Sequence, residues 1–262
     1  MFRVMTWNIR HGGGTKGMPR IALELVEQAA DIIILTEFRQ RTGGQIRGAL
    51  ADHGWTHQAH GHQPGRANSV LIASRLEIEP IETPRGLAGR WLACTIPSAD
   101  VWLAGLHIPC DGPETGRKAF WHTVLRFARE RAETPGILIG DFNTGRHYLD
   151  ERGTTFSDTI MMGFLSAAGY IDAWRHLHPD DREYSWFSHL GGGFRIDHAL
   201  VSRPLESAIR SAWYSHDERL AGTSDHSSLM LVLERSVGSA GVESGRHLPD
   251  PQEFAQNLRI GT

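Results

Sequence analysis

The sequence contains only two cysteines, Cys94 and Cys110, in 262 residues. Two cysteines cannot build the disulfide framework of a small secreted protein, so a cytoplasmic location is favoured. The sequence also contains no Cys-x-x-Cys pair and no cysteine–histidine spacing of the kind that binds structural zinc. Any metal ion bound by this chain is therefore expected to be a hard cation held by oxygen ligands.

Long apolar runs are missing as well. No run approaches the ~20 residues that a membrane-spanning helix needs. The N-terminal residues enter a strand pattern directly, without the apolar core and small-residue cleavage site of a signal peptide. We therefore expect no membrane segment in this chain.

Positive charge is not in excess, because the formal net charge is −3. This balance excludes a global basic field for holding nucleic acid. Lys16 and Lys118 are the only lysines, so the positive charge is almost entirely arginine. Arginine suits bidentate phosphate contacts, but a GC-rich coding sequence would give the same bias. Composition leaves the substrate open.

The order of apolar segments predicts an α/β fold in one large domain. Strand patterns cover residues 2–7, 32–35, 55–59, 69–73, 90–96, 101–106, 137–139, 184–188, 196–202, 209–214 and 228–233. One helix pattern begins at Pro19, a second follows Gly44 and runs to about Asp52, and two more cover residues 114–131 and 158–168. Two α/β stretches are each followed by antiparallel-looking strands. This order predicts a four-layer α/β/β/α sandwich, in which two packed mixed β-sheets are flanked by helices.

The composition changes near the C-terminus. From Ser236 onward, glycine, serine, proline and charged residues dominate, and hydrophobic periodicity is weak. Such segments cannot bury enough apolar surface to fold. We therefore expect a catalytic domain over residues 1–235 and a flexible tail over residues 236–262.

The pattern that organises the chain is an apolar strand that ends in polar side chains. The apolar stretch 137–139 is followed by Asp141 and Asn143. Residues two apart in an extended chain point to the same face, so both side chains can enter one pocket. An ordinary Asx turn would explain this pair alone. The same pattern, however, recurs at the ends of other predicted strands: Asn8, Glu37, His107, Asp197, Asp225 and His226.

Each of these positions has a local explanation, such as a turn or a half-buried imidazole, but together they favour one shared site. Carboxylate and amide oxygens without thiolates suit Mg²⁺ or Mn²⁺. Two histidines, one of them able to pair with a buried aspartate, suit charge stabilisation or protonation of a leaving oxygen. The reaction class that this set supports is metal-assisted hydrolysis of a phosphate ester.

Five short segments resemble, in order, the signatures of the endonuclease/exonuclease/phosphatase superfamily: Thr6-Trp7-Asn8, Thr36-Glu37, Gly140-Asp141-Phe142-Asn143, Arg195-Ile196-Asp197-His198 and Ser224-Asp225-His226. The segments 169–179 and 184–187 further resemble the exonuclease III and AP-endonuclease branch. The resemblance covers roughly residues 2–235 and implies a DNase I-like sandwich.

The resemblance also implies roles for individual residues. Glu37 would be the principal metal ligand, with Asn8 and Asp225 as further metal-site residues. Asp141 would orient or deprotonate the attacking water, with Asn143 beside it. His226 would contact the scissile phosphate with its ring aligned by Asp197, and His107 falls where the family supplies a phosphate-contacting tyrosine or histidine.

The position of His107 departs from the nearest branch. Exonuclease III and AP endonucleases usually carry tyrosine there, whereas histidine is typical of DNase-I-like, sphingomyelinase-like and phosphoinositide-phosphatase members. Trp186 lies where the nuclease branch has an aromatic residue lining an abasic-sugar pocket, although an ordinary core tryptophan fits equally well. Several loop residues could hold flanking phosphates or could simply be solvated: Arg39, Arg41, Arg90, Arg146 and His147.

These observations predict a Mg²⁺- or Mn²⁺-dependent phosphodiesterase that acts on DNA as a monomer without an obligate protein partner. The enzymatic alternative is a phosphodiesterase or phosphatase for a small molecule, a lipid headgroup or RNA. A third possibility is a catalytically silent binding module with the same fold. Such modules usually lose a metal ligand or the His–Asp pair, and neither is missing here.

Overall fold

Two six-stranded mixed sheets form the centre of the computed structural model, which describes residues 1–62, 67–82, 84, 87, 89–110 and 114–234. The predicted tail, residues 236–262, lies outside the described residues. Within the described ranges, no helix combines the length and the apolarity that crossing a bilayer requires.

The first sheet has the strand order β13-β14-β1-β2-β4-β3. Its strands are β1 (Phe2–Asn8), β2 (Ile32–Phe38), β3 (His57–His60), β4 (Ser69–Ser74), β13 (Ile209–Ser215) and β14 (Ser228–Leu233). Strands β1 and β2 are parallel, and β14 runs antiparallel to β1. The carboxyl ends of β1 and β2 and the segment leading into β14 therefore meet at one edge.

The second sheet has the order β5-β6-β7-β8-β12-β9. Its strands are β5 (Glu79–Ile81), β6 (Trp91–Ile96), β7 (Val101–His107), β8 (Gly136–Asp141), β9 (Tyr170–Asp172) and β12 (Asp197–Ser202). Strands β7 and β8 are parallel, with His107 opposite Asp141. Because β12 is antiparallel to β8, its first residue, Asp197, also lies opposite Asp141.

The sheets pack against each other through alternate residues of their strands. Val4, Ile34, Leu103 and Ile139 belong to this central core, in which every one of them is fully buried. Because side chains alternate along a strand, the intervening residues face outward. Helices cover these outer faces: α1 (Gly14–Glu27) and α2 (Gly44–Asp52) on the first sheet, and α3 (Glu114–Glu130) and α4 (Thr159–Ala167) on the second. The predicted four-layer sandwich is therefore confirmed.

The remaining elements are short: the 3₁₀ turn His11–Gly13, α5 (Ala173–Leu177), α6 (Asp217–Leu220) and the two-stranded sheet of β10 (Trp186–Phe187) and β11 (Gly193–Phe194). The prediction that the first helix begins at Pro19 is wrong. Gly12 and Gly13 adopt left-handed conformations, and this turn starts the helix at Gly14, leaving Pro19 inside it. A proline at this position removes one backbone hydrogen bond, and its ring crowds the carbonyl group four residues earlier.

Candidate active site

The strand register brings distant polar residues to one rim of the sandwich. Asn8 ends β1, His107 ends β7 and Asp141 ends β8. The amide Nδ2 of Asn8 donates to Oδ2 of Asp141 at 2.9 Å and approaches Oε1 of Glu37 at 3.5 Å. One buried amide group therefore joins a carboxylate of each sheet.

Glu37 owes its position to an irregularity in β2. The pairing of β2 with β4 shifts between Leu35 and Phe38, and Glu37 has a positive φ of 56°. A β-bulge of this kind re-aims a side chain. Oε2 of Glu37 accepts a hydrogen bond from the His11 backbone N–H at 2.7 Å and lies 2.7 Å from Nδ1 of the His11 ring. The carboxylate is thus fixed by the turn that follows β1.

Asp141 is held from both sides. Its Oδ1 accepts from the Asn143 backbone N–H at 2.9 Å, and its Oδ2 accepts from Asn8. Gly140 precedes it with a φ of 141°, and a Cβ there would lie 2.0 Å from the Leu106 carbonyl oxygen. Only glycine permits this close approach. Asn143 donates its Nδ2 to the Ile108 carbonyl at 2.8 Å, so its side chain also lies at this rim.

His226 and Asp197 form a buried pair on the other side of Asp141. Nδ1 of His226 lies 2.8 Å from Oδ2 of Asp197. The His226 backbone is fixed too, because its carbonyl accepts from the Trp7 indole N–H at 3.0 Å and its N–H donates to Ser224 Oγ at 3.2 Å. One ligand atom from each of Asp141, Asp197 and His226 lies within 4.8 Å of the others.

Burial and charge set the protonation of this cluster. Burial, together with the charge of Asp197, raises the pKa of Asp141 to about 7. For His226, burial opposes the charged form, but the Asp197 carboxylate outweighs it and the pKa of the imidazole rises to about 9. His226 is therefore an imidazolium at neutral pH. Because its Nδ1 faces Asp197, its Nε2–H is the proton available to a substrate.

His107 completes the cluster in the opposite protonation state. Its Nε2 lies 3.9 Å from Oδ2 of Asp141, and a guanidinium nitrogen of Arg90 lies 3.2 Å from the same ring nitrogen. Burial first, and then the positive charge of Arg90, hold the pKa of His107 well below its ordinary value. The ring is therefore neutral, and Arg90 is the cation on this side of the rim.

Trp186 and Asp225 lie at the open side of the cluster. The Trp186 indole N–H approaches Oδ2 of Asp225 at 3.4 Å, and its ring centroid is 6.4 Å from that of His226. Trp186 is only partly buried and also contacts Phe194, with ring centroids 5.7 Å apart. It is not part of the sheet cores. Arg10 approaches Asp225 at 3.9 Å and adds a cation that the sequence analysis did not single out.

The other loop residues are less closely tied to the cluster. Arg39 donates its Nε to Oδ1 of Asn68 at 2.9 Å, and Asn68 in turn contacts the ring of His11. Arg41 is exposed. His147 stacks on Phe156 and lies 2.9 Å from its carbonyl oxygen. Within the described part of the chain, no contact joins the side chains of Arg41, Arg146 or His147 to the cluster.

A buried ionic network lies beneath the rim, and the sequence analysis assigned it no role. Arg195 binds Asp172 through two nitrogens, at 3.1 and 2.7 Å, and Asp150 through Nε at 2.7 Å. Arg175 also reaches Asp150, at 2.9 Å. His198 lies between Asp172 and the Thr144 carbonyl. The network therefore ties the loop after Asn143 to β12. In the sequence, the only indication of this network was the charged residues that flank Asp197.

Replacing Asp172 with asparagine should lower the free energy of unfolding by about 3–5 kcal/mol, because Arg195 would lose its main counter-ion while remaining buried. Burial disfavours the ionised form, but Arg195 and His198 hold the pKa of Asp172 well below its ordinary value. The stabilisation is therefore complete above the unfolded-state pKa of about 3.9 and is lost as the pH falls through the lower folded-state pKa.

Urea unfolding of the wild type and of Asp172→Asn, at neutral pH and at steps into the acid range, measures this difference. The difference in free energy of unfolding between the two proteins should be large at neutral pH and should decrease below about pH 4. Asp181→Asn, which changes an exposed carboxylate paired with His178, is the control and should cost about 0–1 kcal/mol. A gap that is small at neutral pH would contradict a stabilising role for the network.

The donor chemistry of the cluster fits a hard divalent cation. Glu37, Asp141 and Asn8 offer carboxylate and amide oxygens, the ligands that such cations prefer. Among the described residues, Oδ1 of Asp197 is buried without a hydrogen-bond partner, and burial with neighbouring negative charge already raises the pKa of Asp141. A bound cation would offset this concentration of buried negative charge.

A sequence profile of the Endonuclease/Exonuclease/phosphatase family matches residues 5–226, from β1 to His226. The chain belongs to this family. The cluster described above thus lies within the family's matched region, and the two sheets of the sandwich supply it jointly.

Curated relatives of this Endonuclease/Exonuclease/phosphatase family member are named exodeoxyribonuclease. The chain is 34% identical over 115 residues to one from Bacillus subtilis (strain 168), an alignment that covers 38% of this chain and 44% of the relative. It is 28% identical over 120 residues to one from Streptococcus pneumoniae, covering 39% and 42%. The chain thus matches less than half the length of these relatives.

Solved structures match over nearly the whole fold. A 3′ phosphatase, NExo, from Neisseria, bound to a product DNA hairpin, has a TM-score of 0.77 at 22% identity and covers 89% of this chain and 100% of its own. An AP endonuclease from Archaeoglobus fulgidus has a TM-score of 0.77 at 19% identity with the same coverage. At these identities the likeness establishes the shared fold.

Proposed function

We propose that this chain is a Mg²⁺- or Mn²⁺-dependent phosphodiesterase that hydrolyses DNA, of the exonuclease III or AP-endonuclease type. The observation that carries the proposal is the convergence of two kinds of group at one rim. The carboxylates of Glu37 and Asp141 share the Asn8 amide. The His226–Asp197 pair lies beside them and presents a protonated imidazole.

The metal would be held by Glu37 and Asn8, with Asp225 as a further ligand or electrostatic partner at the rim. When bound, such a cation supplies Lewis acidity to a phosphoryl oxygen and offsets the charge that develops there. Carboxylate and amide oxygens favour Mg²⁺ and Mn²⁺ over softer metals.

Asp141 would orient the attacking water and take its proton. Its two oxygens are fixed by Asn143 and Asn8, so the carboxylate cannot rotate away from the site. Burial raises the pKa of this carboxyl group, which makes it a stronger base than an exposed one. As the water oxygen bonds to phosphorus, the bond from phosphorus to the ester oxygen of the leaving group breaks.

His226 would bind the scissile phosphate through Nε2–H. Asp197 keeps the ring protonated and aligned, so a charged donor faces the non-bridging oxygen on which negative charge accumulates. His107, neutral and close to Asp141, would contribute a second, weaker phosphate contact. Arg90 beside it would supply positive charge.

Two further features support DNA as the substrate. Trp186 and Phe194 form a partly buried aromatic wall next to His226, suited to packing against a sugar or base. Arg10 approaches the same Asp225 carboxylate as the Trp186 indole N–H, and Arg39 binds Asn68. Both could bind flanking phosphates, and Arg146 is a further candidate for such a contact. The relatives named exodeoxyribonuclease agree with this assignment.

A second candidate is hydrolysis of a small-molecule, lipid-headgroup or RNA phosphate ester. It is favoured by His107, which stands where the exonuclease III and AP-endonuclease branch usually has tyrosine, and by the net charge of −3. The chemistry at the rim would be the same, and only the groups flanking the phosphate would differ.

A substrate panel separates the two candidates. The purified full chain should cleave duplex DNA carrying an abasic site, or a 3′-recessed duplex, when Mg²⁺ or Mn²⁺ is present. Bis(4-nitrophenyl) phosphate serves as a generic phosphodiester in the same buffers. Turnover of the generic ester while both DNA duplexes remain intact would reject DNA and support the second candidate.

We also propose that residues 1–235 form the catalytic domain and that the enzyme is a cytoplasmic monomer. The low number of cysteines supports a cytoplasmic location. The site is assembled from the strand ends of a single chain, so no second copy is needed to complete it.

A further inference from the structure

Asp225 and His226 lie in a segment that runs from α6 to β14. A buried glutamate at the beginning of this segment binds the residue at its end. Glu218 lies in α6 and is 2% exposed. Its Oε1 accepts a hydrogen bond from Ser228 Oγ at 3.0 Å, ten residues further along the chain. Ser228 is the first residue of β14. One carboxylate therefore joins the two ends of the segment that contains both site residues.

The same side chain fastens this segment to α1. Oε1 of Glu218 also accepts from the Gln28 Nε2 amide at 2.9 Å. One turn earlier, Glu24 accepts from Thr223 Oγ1 at 2.9 Å. Arg20, a further turn back, donates to the Ala221 carbonyl at 3.4 Å. Residues four apart lie on one helix face, so a single polar stripe of α1 supports the segment.

The backbone of Glu218 reaches the residues next to the active site. Its carbonyl oxygen accepts from the Thr223 N–H at 2.9 Å and from the Ser224 N–H at 3.4 Å. Ser224 Oγ then donates to the Asn8 carbonyl at 2.6 Å and accepts from the His226 N–H at 3.2 Å. A continuous chain of hydrogen bonds runs from Glu218 to the backbone of His226.

We infer that Glu218 is a positioning residue. Its side chain, through Ser228 and Gln28, fixes the segment whose Thr223 and Ser224 bind its backbone carbonyl, and thereby holds His226 in line with the scissile phosphate. This inference rests on the proposed function for the identity of the reaction. Its physical basis is independent of the reaction. A buried carboxylate is costly, and of its two oxygens only Oε1 has hydrogen-bond partners among the described residues, Ser228 and Gln28. Here its hydrogen bonds close one segment and join that segment to a helix.

The test compares Glu218→Ala with Glu218→Gln. Alanine removes both hydrogen bonds of Oε1, so kcat should fall by ~10–100-fold, since a displacement of about 1 Å costs on that order. KM should change little, because His226 acts mainly on charge that develops in the transition state. Glutamine keeps an acceptor oxygen and should restore most of kcat.

Ser202→Ala is a matched control for lost stability. Ser202 is fully buried, at the end of β12 opposite to Asp197. It makes two hydrogen bonds, to the Gly136 N–H and the Thr134 carbonyl. Its replacement should destabilise the fold while kcat stays unchanged. If Glu218→Ala does not fold, Ser228→Ala removes only the closing hydrogen bond and should lower kcat in the same direction.

Amide hydrogen exchange provides a readout that needs no activity. In Glu218→Ala, residues 221–227 should exchange faster while β1 and β2 keep wild-type protection. Unchanged exchange in that segment overturns the inference, and so does faster exchange with an unchanged kcat. A wild type that cleaves neither DNA nor the generic ester overturns the proposed function instead, and exchange alone then decides whether Glu218 holds the segment.

Discussion

Replacing His226 with alanine is expected to lower kcat for phosphodiester cleavage by ~10²–10³-fold, the range typical of losing one preorganised hydrogen-bond donor to the charge of the transition state. The side chain presents an imidazolium because Asp197, 2.8 Å away, outweighs the effect of burial and raises the pKa of the ring to about 9. Alanine removes this charge from the place where negative charge develops on the phosphoryl group. KM should change much less than kcat, because the donor acts mainly in the transition state.

Steady-state kinetics on the DNA substrate that the wild type cleaves best measures this effect. His178→Ala is the matched control, since His178 forms a similar histidine–aspartate contact with Asp181, at 3.1 Å, outside the cluster. Urea unfolding of each variant gives the folded fraction by which kcat is corrected. A His226→Ala rate within a few-fold of the wild type, with His178→Ala equally active, would mean that the reacting phosphate binds elsewhere.

Glu37→Gln is expected to lower activity by about 10³-fold at moderate Mg²⁺. A bound cation lowers the activation free energy by several kcal/mol, and each loss of about 1.4 kcal/mol slows the reaction tenfold. The change preserves the shape of the side chain in its bulge. It removes the negative charge and one of the two acceptor oxygens that face Asn8 and the His11 N–H. Part of the activity should return at high Mg²⁺ or Mn²⁺ concentration, because Asn8 and Asp141 remain in place. Folding should be little affected, since Glu37 lies at the rim outside the sheet cores.

Activity as a function of Mg²⁺ concentration, with Glu79→Gln as control, measures this prediction. Glu79 lies in the edge strand β5 and is exposed, so the same chemical change there should leave the metal dependence unaltered. A Glu37→Gln protein with the wild-type rate and the wild-type Mg²⁺ dependence would remove Glu37 from the metal site.

The convergence of the site was predictable because it follows from strand topology. An apolar run that ends at Asn8, His107 or Asp141 places its polar side chain at the carboxyl end of a parallel strand, and such ends share one edge. The sequence patterns therefore found side chains that meet across large separations, such as Asn8 and Asp141, 133 residues apart. The strands and helices that form the layers of the sandwich were also predictable, because apolar residues recur with a different period in strands and in helices.

What the sequence did not indicate is how the site is supported. The bulge at Glu37 depends on the pairing of β2 with β4, which no local pattern specifies. Arg195 and Glu218 look like ordinary charged residues in sequence, yet each is buried among partners from distant segments. The early start of α1 depends on two left-handed glycines, whereas proline is the commoner start signal. Pairing between distant segments decided the bulge and the burial of these charges, whereas the local conformation of two glycines decided where α1 begins.

The most direct test of the account is the Mg²⁺ dependence of DNA cleavage by protein freed of metal with EDTA and then passed into metal-free buffer. The rim of Glu37, Asn8, Asp141 and His226 predicts no cleavage of abasic-site or 3′-recessed duplexes until Mg²⁺ or Mn²⁺ is added, followed by a saturable return of activity. Cleavage that persists at full rate in EDTA, or DNA left intact at every concentration of both metals, would contradict it.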